Sequence, residues 1–151
     1  MSAAKNDLIL VLNCGSSSIK FALYDAAAQP LPRRPAWGGK VDGITGAHPQ
    51  WSESSQAPQP LALDAKAPYH AALEHIRARV RAFVAQHCAG HGIAAIAHRV
   101  VHGGSKYFAP VRMDAAVLAD LRSYIPLAPL HQPFALEAIA VLLESRPELP
   151  Q

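Results

Sequence analysis

The stretch Leu12–Phe21, LNCGSSSIKF, sets an asparagine, a glycine and three serines between an apolar run and a half-apolar run. Such residue types suit a phosphate site. A glycine lets backbone N–H groups crowd an anion, and short hydroxyls such as those of Ser16 and Ser18 donate to it. Mg²⁺ prefers oxygen ligands and keeps much of its water, so an Asn13 carbonyl at a strand end can act on it directly or through water. Lys20, just past the turn, supplies a point charge for phosphates. The stretch is neither a Walker A loop nor a dinucleotide fingerprint: no G-x-x-x-x-G-K-[ST] is present, and the element after the turn reads as a strand. On these residues alone, a plain surface turn is the alternative.

Two further stretches could carry chemistry. In HRVVHGG (His98–Gly104), read as a strand, Arg99 and Val101 share one face while His98 and Val100 take the other. A guanidinium beside an apolar side chain fits a small carboxylic acid with an alkyl tail, the arginine taking the carboxylate as a fork and the valine the tail. The glycines after it admit a close approach by a ligand or a second backbone. An arginine in a structural ion pair is the alternative. In APLHQP (Ala128–Pro133), His131 is held in a proline-ruled loop, where it could donate to a charged oxygen; a merely exposed loop histidine is the alternative.

Other groups recede. His87, Cys88 and His91 have a metal-like spacing, but Gly90 breaks the helix that would align them. Cys14 has no base fixed near it in sequence and reads as a small turn side chain. Glu74 and Glu137 read as surface or packing positions. A serine hydrolase is excluded by the lack of a G-x-S-x-G elbow.

These residues need elements to position them. Leu8–Asn13 is a continuous apolar run, the pattern of a strand buried on both faces. Ile19–Asp25 alternates, with Ile19, Phe21 and Leu23 on one face and Lys20 and Tyr24 on the other. The short CGSSS between them is far below a parallel crossover, so residues 8–25 are expected to form an antiparallel hairpin. Gln29–Lys66 reads as a β meander with strand-like pieces at KVDGI and PLALD, a disordered insertion being the alternative. Pro68–Cys88 has helical spacing at Leu73, Ile76, Val80, Phe83 and Val84, stopped by Gly90 and Gly92. Ile93–Gly104 reads as a buried strand ending in a glycine loop. Asp114 is an expected N-cap for a helix towards Tyr124, and Pro133 opens a last helix ending before Pro147. Strands first, then strand and helix mixed, indicate an α/β or α+β architecture with helices packed on a mixed sheet.

Composition narrows the class. The chain has 151 residues, half of them hydrophobic, enough for one domain with a real core or for part of a larger protein. The formal charge of +3 is scattered, and Arg77–Arg81 lies in a helical pattern without aromatic interleaving, so no nucleic-acid surface is expected. No apolar run approaches a membrane span, and the N-terminal MSAAKNDLILVLN has no small-residue cleavage site, so secretion is not expected. The two cysteines, with no C-x-x-C pair, suit a reducing cytosol.

Taken together, LVLNCGSSSIKFALYD, AHRVVHGG and APLHQP resemble, in order and rough spacing, the acetate kinase family, and the resemblance runs over essentially the whole chain. It implies a ribonuclease-H-like lobe of the acetate and sugar kinase, Hsp70 and actin superfamily, with ATP and Mg²⁺ bound in a cleft and the γ-phosphoryl group passed reversibly to acetate. By this resemblance Asn13 would help hold Mg²⁺, and Ser16, Ser18 and Lys20 would surround the ATP phosphates. Arg99 would bind the acetate carboxylate, Val101 and Leu130 would line the methyl pocket, and His131 would donate to the phosphoryl oxygens. A cytoplasmic homodimer is implied for the full-length protein.

The chain also departs from the family pattern. Family members are far longer, and the catalytic aspartate, a second histidine loop and the adenosine-binding half would follow Gln151. Gln132 replaces an Asn common after the loop histidine, and Ser105 stands where an acidic residue is common. The expectation is an N-terminal acetate kinase lobe, incomplete and inactive alone. Propionate or butyrate kinase, a sugar or glycerol kinase of the same superfamily, and a non-catalytic binding or assembly module are the alternatives.

Overall fold

The computed structural model describes residues 5–151; Met1–Ala4, part of the N-terminus read above for a leader, lie outside the described residues. Strands β1 (Lys5–Cys14) and β2 (Ile19–Asp25) form the expected antiparallel hairpin, with Leu12 opposite Phe21 and Asn13 opposite Lys20. Strands β3 (Trp37–Asp42), β4 (Gln50–Glu53) and the two-residue β5 (Gln59–Pro60) continue the meander antiparallel, each beside its predecessor. Strand β6 (His91–His98) returns to the other side of β1 and pairs with it in parallel, giving the mixed order β5-β4-β3-β2-β1-β6. The long helix α1 (Pro68–His87) makes that crossover.

Three expectations need correction. The apolar run of β1 is not buried on both faces: Leu8, Leu10, Leu12 and Cys14 are buried, while Ile9, Val11 and Asn13 are half-buried. The antiparallel partner β2 shares this one-sided pattern, and α1 and α3 (Gln132–Ser145) contribute to one common core. Within PLALD only Pro60 is strand, and the two prolines of the region confine β5 to the sheet edge. The strand read as Ile93–Gly104 ends at His98, so Arg99, Val101 and the glycines lie in the loop beyond it.

The main core joins the inner face of the sheet to α1 through Ala72, Leu73, Ile76 and Val80, and to α3 through Ala135, Ala138 and Leu142. Aromatic rings fill its outer end: Trp37 stacks on Phe83 at 4.2 Å, and Phe21 lies edge-on to Trp37 and flat against Trp51. A second cluster seats α2 (Ala115–Ser123) on α3 through Met113, Leu118, Leu121, Leu136 and Ile139. Asp114 caps α2 as its sequence predicts, accepting from the Val117 N–H at 2.8 Å. The final residues run along the outer edge of β6, where the Pro150 carbonyl accepts from Ile96 N–H at 2.9 Å. No helix among the described residues is long and apolar enough to cross a membrane.

Candidate functional site

The hairpin turn is braced from outside. Gly15 N–H donates to the Ser18 carbonyl at 2.8 Å, Ile44 N–H to the Ser17 carbonyl at 2.9 Å, and the Tyr69 hydroxyl of α1 to the Gly15 carbonyl at 2.8 Å. These bonds hold the carbonyls of Gly15, Ser17 and Ser18, while among the described residues the amides and hydroxyls of Ser16–Ser18 donate no hydrogen bond. A turn whose carbonyls are tied back and whose donors stay open is suited to an anion. Tyr69, which lies 54 positions from Gly15, carried no local signal in the sequence. Beneath the turn, burial pushes the Cys14 thiol up to about 11, so it is a thiol and not a nucleophilic thiolate near neutrality.

Sheet register brings three of the candidate residues to one face. Asn13 pairs with Lys20 across β1 and β2, and Leu12 pairs with His98 across β1 and β6. The ladder continues one step past β6, where Arg99 N–H donates to the Leu12 carbonyl at 3.1 Å. Leu12 faces the core, so Asn13 faces away from it; Arg99, one step past the inward-facing His98, takes that same outer side with Lys20. The alternation persists beyond the strand, for Arg99 and Val101 are exposed while His98 and Val100 are partly buried. Among the described residues neither Lys20 nor Arg99 has a carboxylate within ion-pair distance, whereas Lys40, opposite Lys20, is paired with Asp42 at 2.6 Å. That contact holds the Asp42 carboxyl below its ordinary range.

The remaining candidates lie on loops, Val101 just past β6 and Leu130 and His131 just before α3. Val101 is 40% exposed and Leu130 71%. A cavity of about 600 Å³ beyond β6 is lined by Val101, His98, Tyr107 and Val111 among others, but not by Arg99, Leu130 or His131. Val101 and Leu130 therefore do not close one apolar pocket by themselves. His131 is exposed at the entrance to α3, where a 3-10 turn (Ile125–Leu127) and the bond from Gln132 N–H to the Ala128 carbonyl at 2.8 Å wind the loop tightly.

The glycine loop is held from the α2 side. Lys106 and the Tyr107 hydroxyl both bind the Asp120 carboxylate, which they hold below its ordinary range. Gly104 has a φ of +60°, and a Cβ there would collide with the Tyr124 ring, so only glycine serves. Among the other groups, His87 leans on Phe83 and His91 pairs with Asp7 at 2.8 Å, so they face different partners.

His98, next to Arg99, is partly buried with Nε2 on the Gln151 Oε1 at 2.7 Å, and burial pushes its pKa below the ordinary 6.5. The fold holds this ring neutral, so between the depressed value and 6.5 the unfolded chain binds more protons. Its stabilising contribution is complete above that ordinary value and is lost as pH falls; His75, also depressed by burial, acts in the same direction. Urea midpoints should therefore drop from about pH 7.5 to about pH 5, and His98→Gln should flatten that dependence. An unchanged slope in His98→Gln would assign the effect to other groups.

A sequence profile of the Acetokinase family matches residues 8–151. The chain belongs to the acetokinase family. It is 36% identical over 146 residues to an acetate kinase of Rhodopseudomonas palustris, covering 97% of this chain and 36% of that protein. With an acetate kinase of Rhizobium meliloti the identity is 39% over 148 residues, covering 96% and 36%. Among solved structures, the Porphyromonas gingivalis acetate kinase superposes with a TM-score of 0.73 at 27% identity, covering 96% of this chain and 36% of that one. A Francisella tularensis propionate kinase gives 0.72 at 31%, covering 96% and 35%. The chain thus spans about a third of the length of these relatives, and its mixed sheet and packed helices are the fold they share.

Proposed function

We propose that this chain forms one wall of a phosphoryl-transfer cleft, and that the protein moves the γ-phosphoryl group of ATP to acetate, giving acetyl phosphate and ADP. A carboxylate oxygen attacks the γ-phosphorus, and the bond to the β–γ bridging oxygen breaks with its electron pair leaving on ADP. The observation that carries the reading is the placement of Asn13, Lys20 and Arg99 on one side of the sheet, the two cations lacking carboxylate partners among the described residues. Ser16, Ser18 and Lys20 would receive the ATP phosphates. Arg99 would take the acetate carboxylate, Val101 and Leu130 its methyl group, and His131 would donate to the phosphoryl oxygens. Such transfer asks mainly for positioning and charge neutralisation.

The donor set fits Mg²⁺ of a particular kind. Asn13 offers one side-chain oxygen, and no cluster of three His, Cys, Asp or Glu exists among the described residues. That suits an ion held mostly by phosphate oxygens and water. When bound it would neutralise phosphate charge, and Asn13 would fix its position.

The acceptor's length is a second reading, favoured by the 31% identity to a protein described as a propionate kinase. One methylene in an apolar pocket discriminates by about 1–3 kcal/mol. The chain spans about a third of the length of its relatives, so these 151 residues are expected to bind without sustained turnover. Hydroxylamine capture of acyl phosphate with the chain, ATP, Mg²⁺ and acetate checks this; sustained product would overturn it. Acetate titration followed by side-chain NMR tests the site itself. Arg99→Ala should weaken acetate by about 10- to 100-fold, the worth of a hydrogen-bonded charge. Equal affinity in the variant would remove Arg99 from the site.

A further inference from the structure

Gln132 is wholly buried, with 0% exposure, and opens α3 immediately after His131. Its Nε2 donates to the His102 carbonyl at 2.8 Å, across 30 positions of sequence, and lies 3.5 Å from the Leu121 carbonyl of α2. Among the described residues its buried Oε1 has no partner. Both neighbours of the amide are carbonyl oxygens, so the nitrogen must face them and the orientation is chemically fixed. Leaving an amide oxygen unpaired in a core is unfavourable, and an apolar side chain of the same length would avoid it.

What the amide does in return is geometric. His102 follows Val101 directly, and its ring Nδ1 accepts the Gly104 N–H at 2.9 Å, so the carbonyl that Gln132 grips belongs to a loop folded on itself. One hydrogen bond therefore joins the residue beside His131 to the residue beside Val101. The sequence offered no sign of this, since Gln132 stood out only as a substitute for a commoner Asn.

We propose that Gln132 is a positioning residue that sets the distance between the Arg99–Val101 loop and the Leu130–His131 loop, so that acceptor and phosphoryl contacts are presented in one register. The functional part of this inference rests on the reading that both loops serve one site; the loop coupling itself does not.

The test uses the 151-residue chain with Gln132→Met, which keeps length without the donor, and Gln132→Asn, which keeps the donor on a shorter arm. Gln132→Met should leave the thermal midpoint within a few degrees while amide exchange at His102–Gly104 rises about tenfold or more, with a distant loop around Gly46 unchanged. Acetate should bind this variant about tenfold more weakly, and the shift that acetate causes at the His131 ring in the unmodified chain should disappear. Gln132→Asn should recover most of that affinity and the His131 shift. Exchange and affinity both within about twofold of the unmodified chain in Gln132→Met would overturn the proposal. Should Gln132→Met not fold, a folded Gln132→Asn that lacks the His131 shift overturns it equally. If acetate does not bind the unmodified chain, the acetate reading fails while the exchange comparison still decides the coupling.

Discussion

Ile76→Ala is expected to destabilise the chain by about 2–5 kcal/mol, the range for deleting a buried aliphatic side chain. Ile76 has 0% exposure and sits mid-way along α1, in the core that also holds Leu73, Leu12 and Ile19. The cost reaches the upper part of the range when surrounding atoms cannot collapse into the space. Here the neighbours belong to a six-stranded sheet and a twenty-residue helix, each fixed by its own hydrogen bonds. A domain of this size is typically stable by about 5–15 kcal/mol, so the variant would lose a large part of its margin. Urea unfolding followed by the fluorescence of Trp37 and Trp51, both in this core, measures it directly. A loss below about 1 kcal/mol would mean that α1 is not seated on the sheet as described.

The second large effect is expected at Gly39, where alanine should cost about 3 kcal/mol, the upper end for overpacking. Gly39 lies opposite Phe21 on β2 and opposite Glu53 on β4. A Cβ there would fall deep inside contact with the Ser52 carbonyl and 3.0 Å from both Glu53 Cα and the Phe21 ring. Two of these three are backbone atoms, which cannot rotate away; relief requires β3 and β4 to part. Gly46→Ala is the control, since its added carbon would meet its nearest neighbour, the Gly43 carbonyl, at 3.5 Å. That change should stay within about 0.5 kcal/mol. Equal losses for the two variants would show that the cost at Gly39 is not steric.

Much of this fold was legible because its signals are local. The short CGSSS link forced a hairpin, Asp114 and Pro133 marked two helix starts, and the spacing of Leu73, Ile76 and Val80 marked the long helix. The faces of Arg99 and Val101 followed from alternation even though the strand stops at His98. What escaped was non-local. Tyr69 reaches Gly15 and Gln132 reaches His102 through single hydrogen bonds that leave no periodic trace. The one-sided burial of β1 also escaped, because an apolar run has the same appearance whether one face or two are covered.

The parallel pairing of β1 with β6 makes the two halves of the proposed site form by different routes. The hairpin that carries Asn13 and Lys20 closes over a tight turn, at small cost in loop entropy. The strand that brings Arg99 must find β1 across most of the chain, a separation of 84 positions at the His91–Asp7 contact. Pairings of such long range are slow to form and raise contact order. The hairpin turn is thus a local product of folding, whereas the arginine beside it is delivered by topology and depends on α1 having packed.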